Sequence, residues 1–249
     1  MTDAIQIERE RGLLTLRLNR PDKKNALTRA MYSHLAEALK QADTDPEINA
    51  VLITGSAECF TAGNDIADFL QQPPSNLDSP VFQFMLTLLE CRKPVIAAVA
   101  GAAVGIGTTL LLHCDLVYVS RDARLRMPFV NLGLCPEFGS SLLLPRLLGH
   151  AKAAELLLLG EGFSGEQAAE WGIATEALGS GEAALAKARE MARRFESLPP
   201  EAVRISKQLM KAPDREQLRK VIEEESALFT QRLRSPEAVA ALSGFINRH

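Results

Sequence analysis

Lys93–Ser120 reads KPVIAAVAGAAVGIGTTLLLHCDLVYVS, and its punctuation decides the fold. PVIAAVAG is a short, nearly continuous apolar run bounded by Pro94 and Gly101, the pattern of a strand buried on both faces. Gly101, Gly105 and Gly107 then break the chain into a turn. TTLLLHC predicts a helix, and DLVYVS a second buried strand. Buried strands joined through a helix imply a largely parallel sheet in an α/β fold.

The same rhythm extends outward in both directions. Downstream come RLRMPF, a loop NLGLCPEFGSS (Asn131–Ser141), and helices through AKAAELLLLG. Upstream, AVLITG predicts a strand ending at Gly55. It is followed by a polar loop with CFTAGNDIADF and by the Pro/Ser-rich break QQPPSNLDSP, which reads as a lid-like excursion before helix VFQFMLTLLEC. The chain opens on AIQIERE and LLTLRLN around Arg11-Gly12, a hairpin pattern. Thr28 then caps a helix with Met31, Leu35, Ala38 and Leu39 on one face. From Glu182 onward only helical patterns remain, with interruptions expected at Pro199-Pro200, Pro213 and Pro236. The expected organisation is a core over residues 1–180 and a helical region over 181–249 that packs on the body or on another subunit.

Of 249 residues, 47% are hydrophobic and 24% charged, as in globular proteins, and the formal charge is −3. That balance gives no electrostatic reason for a nucleic-acid or anionic-membrane partner. Aromatics, at 5%, are too sparse for base-stacking platforms. Cys59, Cys91, Cys114 and Cys135 contain no CxxC pair, so reduced thiols are expected rather than a metal site or a disulfide framework. No signal peptide, membrane span or C-terminal address is visible, which makes the cytoplasm the expected location.

The Gly-rich turn admits several readings. Gly107 is followed by Thr108-Thr109 with no Lys, so a phosphate-binding P-loop fits poorly. Leu110 stands where a dinucleotide fingerprint wants Gly. A backbone oxyanion site needs no side chain and fits, as does close helix–strand packing. FTAGNDI is a second such turn, able to offer another N–H to the same oxygen. Glu137, between Pro136 and Phe138, is either a solvated turn residue or a base held in an apolar pocket.

Taken together, CFTAGNDIADF, KPVIAAVAGAAVGIGTTLLLHCDLVYVS, NRPDKKNALT and LLGEGFSGEQAAEWGIATE resemble the crotonase, or enoyl-CoA hydratase/isomerase, superfamily over nearly the whole chain. The resemblance implies a spiral of ββα units with a C-terminal helical trimerisation region, as a homotrimer or dimer of trimers. It implies an acyl-CoA thioester substrate and an enolate held by the backbone N–H groups of Asn64 and Ile106. Ala62, Gly63, Asp65, Gly105, Phe129, Leu134 and Phe138 join the implied substrate site, Asp65 by holding the first turn in shape.

Hydratases of that superfamily use two Glu residues, and the matching positions here are Thr109 and Phe129. Water addition is therefore not expected. LGLCPEFGSS instead resembles the 3,2-enoyl-CoA isomerase branch, in which one Glu acts alone, and the resemblance carries that role to Glu137. The chemistry needs no metal or separate cofactor, since CoA is part of the substrate. Lys23 and Lys24 lie where relatives wrap the CoA, although solvated loop lysines are an equal reading. SGFINRH resembles a terminal motif that places Phe245 and Arg248 on CoA. Two alternatives stand beside the isomerase: an isomerase of ring-derived CoA thioesters of the phenylacetate type, and a non-catalytic acyl-CoA-binding scaffold.

Overall fold

The computed structural model describes residues 4–246. A hairpin of β1 (Ile5–Glu10) and β2 (Leu13–Leu18) opens it. Arg11 and Gly12 turn it with φ of 42° and 75°, the doubly left-handed geometry that matches strand twist. Helix α1 (Arg29–Thr44) follows, with Thr28 accepting from Met31 N at its start. Next come β3 (Ala50–Thr54), β4 (Cys59–Thr61), α2 (Ile66–Gln71) and α3 (Pro80–Glu90). The deciding stretch forms β5 (Val95–Val99), β6 (Ala102–Val104), α4 (Ile106–Thr109) and β7 (Leu116–Ser120). The helix expected over TTLLLHC is thus only one turn of α-helix, tightened into a 3-10 turn over Leu110–His113. The two turns together span Ile106–His113, and the chain must be extended again by Leu116 to enter β7.

The chain continues through β8 (Arg124–Arg126), α5 (Ser140–Leu148), α6 (His150–Leu158), β9 (Gly162–Ser164), α7 (Gly165–Glu170) and β10 (Glu176–Leu178). It closes with α8 (Gly181–Arg194), α9 (Pro200–Leu233) and α10 (Pro236–Ile246). One sheet has the order β1-β2-β3-β5-β7-β10, parallel except for the β1–β2 hairpin. The second, β4-β6-β8-β9, is parallel until β9 turns antiparallel. After the opening hairpin, each ββ step places one strand in each sheet, and the pair climbs as a spiral.

Strand alternation explains why the larger sheet is buried on both faces. Val51, Ile53, Val95, Ala97 and Val99 point into the main core with α1 and α3. Ala50, Leu52, Ile96 and Ala98 face Ala184, Ala188 and Ala192 of α8. Helix α8, which the sequence groups with the C-terminal region, thus lies against the sheet through a row of small side chains.

Pro213 does not interrupt α9, which runs for 34 residues. An internal proline removes one backbone hydrogen bond and crowds the preceding turn, at a cost of about 3 kcal/mol. Anchors on both sides offset this. Before it, Lys207 Nζ bonds Asp115 Oδ2 and Lys93 O, each at 2.6 Å, and Lys211 Nζ bonds His113 O at 2.9 Å. After it, Leu218, Ile222 and Phe229 are buried. Asp115 also accepts from Val95 N at 2.7 Å, so one carboxylate ties α9 to the start of β5. Among the described residues no helix is long and apolar enough to cross a membrane.

Asp115→Ala strands the buried ammonium of Lys207 beside Lys211. Removing one member of a buried pair typically costs about 3–5 kcal/mol, and that loss is expected in urea denaturation at neutral pH. A loss within experimental error would mean the anchor is not carrying α9.

Candidate active site

Strand β4 delivers the first Gly turn, Ala62-Gly63-Asn64, and the NRPDKKNALT segment braces it. Leu27 N donates to Gly63 O at 2.8 Å, Asp65 N to Leu27 O at 2.9 Å and Ala62 N to Lys24 O at 2.9 Å. Buried Asn25 bonds Cys59 O and Phe60 O, and its own carbonyl accepts from Thr61 Oγ1 at 2.7 Å. Asp65 caps α2 through Asp68 N and takes the Arg20 guanidinium at 2.6 Å, a pairing that helps hold its carboxyl below the usual range against burial. Asp68 in turn accepts from Arg29 N at 2.8 Å, tying α2 to the start of α1.

The second turn leaves β6 at Gly105, whose φ of 57° and ψ of −119° suit glycine, and whose N–H donates to Arg126 O at 2.8 Å. The two turns touch. A Cβ on Gly63, itself at φ 91°, would sit 2.7 Å from Val104 O, and one on Gly107 would sit 2.5 Å from Thr61 Cγ2. The backbone N–H groups of Asn64 and Ile106 take no backbone acceptor among the described residues. The Asn64 side chain is held from α1 by the Tyr32 hydroxyl, which donates to Asn64 Oδ1.

Glu137 is only 2% exposed, and its Oε1 is buried without a hydrogen-bond partner. Every link of its turn is fastened. Ser140 Oγ donates to Glu137 O at 2.7 Å, and His113 Nε2 meets Phe138 O at 2.7 Å. Glu225 of α9 accepts from Gly139 N at 2.5 Å and from Ser141 N at 3.0 Å. Phe138 and Gly139 both have positive φ, 58° and 73°. The Phe138 ring stacks on His113 at 3.8 Å, deep in the core. Burial keeps that imidazole neutral, with its pKa pushed down to about 3, so Nε2 carries a proton and donates to the carbonyl.

Burial, reinforced by the negative charge of Glu225, pushes the Glu137 carboxyl up to about 8. The same carboxylate contributes to raising the fully buried Tyr32 phenol, after burial itself. Tyr32 therefore senses the acid and holds the first Gly turn at once. Phe129 and Leu134 are buried, Phe129 beside Gly105, where a Cβ would lie 3.7 Å from its ring, and edge-on to Phe229. Thr109 is buried, with Oγ1 unpartnered. Burial and the nearby acids raise Cys135 to about 11, so it is a thiol at neutral pH.

The structure thus brings together Ala62, Gly63, Asn64, Asp65, Gly105 and Ile106, while Glu137 lies on a separate turn whose charge acts on Tyr32, the residue that holds Asn64. Lys23 and Lys24 lie exposed on the bracing loop, and neither forms an ion pair among the described residues. Arg248 lies outside the described residues, and of Phe245 only its place in α10 is described. A cleft of about 720 Å³ opens away from Glu137, between the ends of α1 and α3 and the middle of α9, lined by Arg92, Lys211, Arg215 and Arg219 among others. Sequence reading missed Tyr32 and Glu225. A signal for the second existed, because Glu225 shares the helical face of Leu218, Ile222 and Phe229.

A family model described as enoyl-CoA hydratase/isomerase matches residues 8–249. The chain belongs to this family, the crotonase superfamily. It is 36% identical to enoyl-CoA delta isomerase 2 of Rattus norvegicus over 98% of its own length, and spans 63% of that relative. It is 38% identical to 1,2-epoxyphenylacetyl-CoA isomerase of Escherichia coli K12, covering 82% of this chain and 80% of the other. The solved structure of Pseudomonas aeruginosa OdaA superposes with a TM-score of 0.98 at 68% identity, over 99% of this chain and 100% of that one.

A carboxyl raised from 4.5 to about 8 holds a proton in the folded state that the unfolded state releases. Its contribution is complete below pH 4.5 and is lost as pH rises through 8, a change of roughly 5 kcal/mol. Glu137→Gln removes that dependence. The variant is expected to be more stable than the wild type at pH 9 and no more stable at pH 4.5, read from urea midpoints at both values.

Proposed function

We propose that this chain is a 3,2-enoyl-CoA isomerase with Glu137 as its single acid and base. The observation that carries the reading is a buried, unpartnered carboxyl in a clamped turn, set near two Gly turns with free N–H groups. The ionised carboxylate removes a proton from carbon 2 of a 3-enoyl thioester. The C–H electrons form the carbon 1–carbon 2 double bond, and charge moves onto the thioester oxygen. The Asn64 and Ile106 N–H groups receive that oxygen, and each preorganised donor is typically worth about 10²–10³ in rate. The neutral carboxylic acid then protonates carbon 4 as the carbonyl re-forms, leaving the double bond between carbons 2 and 3.

A pKa near 8 suits both halves of this cycle, since the same group must release and recapture a proton near neutral pH. The reaction as written uses no cofactor. Phe129, beside Gly105, and Thr109 occupy the positions that match hydratase carboxylates, which disfavours activation of a water. The likeness to 1,2-epoxyphenylacetyl-CoA isomerase supports ring-derived CoA thioesters as a second substrate class. A binding protein without turnover is the remaining reading. The exposed Ile205, Leu209 and Met210 of α9 are a surface that trimer assembly would cover.

Wild-type protein given a medium-chain 3-enoyl-CoA is expected to form the conjugated 2-enoyl product, followed by its ultraviolet absorbance. Glu137→Gln is expected to lose about 10²–10⁴-fold in kcat while still binding the product. An unchanged rate in the variant would overturn the assignment of the base. Turnover of ring-derived thioesters alone would move the substrate class, and turnover of neither would favour the binding protein.

A further inference from the structure

Glu225 belongs to α9, 86 positions beyond the turn it serves. Its two oxygens accept separately, from Gly139 N and Ser141 N, at the exposed-amide end of the nine-residue helix α5. Burial pushes the Glu225 carboxyl up, while the N–H bonds it accepts on both oxygens favour its ionised form. The turn packs directly on α9: a Cβ on Gly139 would lie 2.3 Å from Leu218 Cδ1, on the same face of that helix. Phe138, between the base and these two amides, stays at a positive φ that non-glycine residues avoid.

We propose that Glu225 is a positioning residue for Glu137: its carboxylate fixes the backbone of the base-bearing turn, and its negative charge governs the pH at which the base becomes free to act. The inference rests on the reading of Glu137 as the base. Around Glu137 the ionisable groups are Glu225 from α9, the Tyr32 phenol from α1, the Cys135 thiol from the same loop, and neutral His113 behind Phe138, with Asp68 of α2 acting on Tyr32. Burial and Glu225 both favour the protonated form of Glu137, and no cation among the described residues stands against them. Lys211 reaches only the far side of His113, and Arg232 is spent on Gly133 O and Glu237.

The test titrates the Glu137 carboxyl directly, by the infrared carbonyl band of its protonated form, assigned by its absence in Glu137→Gln. In Glu225→Gln the midpoint is expected to fall to lower pH, and the acid limb of kcat/KM is expected to move with it in the same direction. Glu225→Asp keeps the charge but cannot span both amides. It is expected to leave the acid limb in place and to lower kcat about 10–100-fold with KM little changed. A residue that only props the fold would lower activity in both variants and shift neither profile.

An unmoved Glu137 midpoint in folded Glu225→Gln overturns the proposal, even where Glu137→Gln is inactive and the base stands. A midpoint that falls while Glu137→Gln retains full activity removes the base and leaves the charge coupling as a property of the turn. Should Glu225→Gln not fold, Glu225→Asp decides alone: wild-type kcat in that variant overturns the positioning role.

Discussion

Val104 O lies where a Cβ on Gly63 would have to be, and the whole site follows from that contact. Two turns that leave neighbouring parallel strands, β4 and β6, come this close because Gly63 and Gly107 offer no Cβ to Val104 O and to Thr61. The N–H groups of Asn64 and Ile106 take no backbone acceptor among the described residues, while the adjoining Asp65 and Gly105 amides bond Leu27 O and Arg126 O. The NRPDKKNALT loop exists, in physical terms, to hold one of these turns against the other. It bonds Ala62 N, Gly63 O and Asp65 N, while Gly63 N turns to the Thr61 hydroxyl.

A buried carboxyl with no partner is expensive, and a non-glycine residue in the left-handed region adds about 1–3 kcal/mol of its own. Such features persist only where the surroundings over-determine them. Here the surroundings are unusually complete. Ser140 and His113 take the carbonyls of Glu137 and Phe138, and Glu225 takes the amides that follow. Only the acid itself is left without a bond. The polar groups that surround the carboxyl's backbone are satisfied, while its own oxygen is not, which is the reverse of how a solvated turn glutamate is held.

Much of this was legible in the residues because the signals are local. Apolar runs bounded by Gly and Pro mark β3, β5 and β7, and Thr28 marks the start of α1. Glu137 stands out as an acid among Leu134, Pro136 and Phe138. What stayed hidden depends on chain segments far apart in sequence. Pro213 looks like a break because local rules cannot see Lys207 and Lys211 reaching Asp115 from the preceding turns. Helix α8 looks like part of a tail because Ala184, Ala188 and Ala192 carry too little apolar area to announce a buried face, yet their small size is what lets α8 lie close on the sheet. Tyr32 and Asn64 are each unremarkable until the fold sets one against the other.

The long reach from Gly139 to Glu225 also fixes an order of events when the chain is made. Synthesis at about 5–20 residues per second delivers the glutamate seconds after the turn it caps. Until then the Gly139 and Ser141 amides have no carboxylate to bond, and the left-handed step at Phe138 is held only from the His113 and Ser140 side. The bonds described for the two Gly turns, by contrast, reach no further along the chain than Arg126 of β8. A chain stalled before α9 would therefore hold the two Gly turns but lack the carboxylate that pins the amides after Glu137.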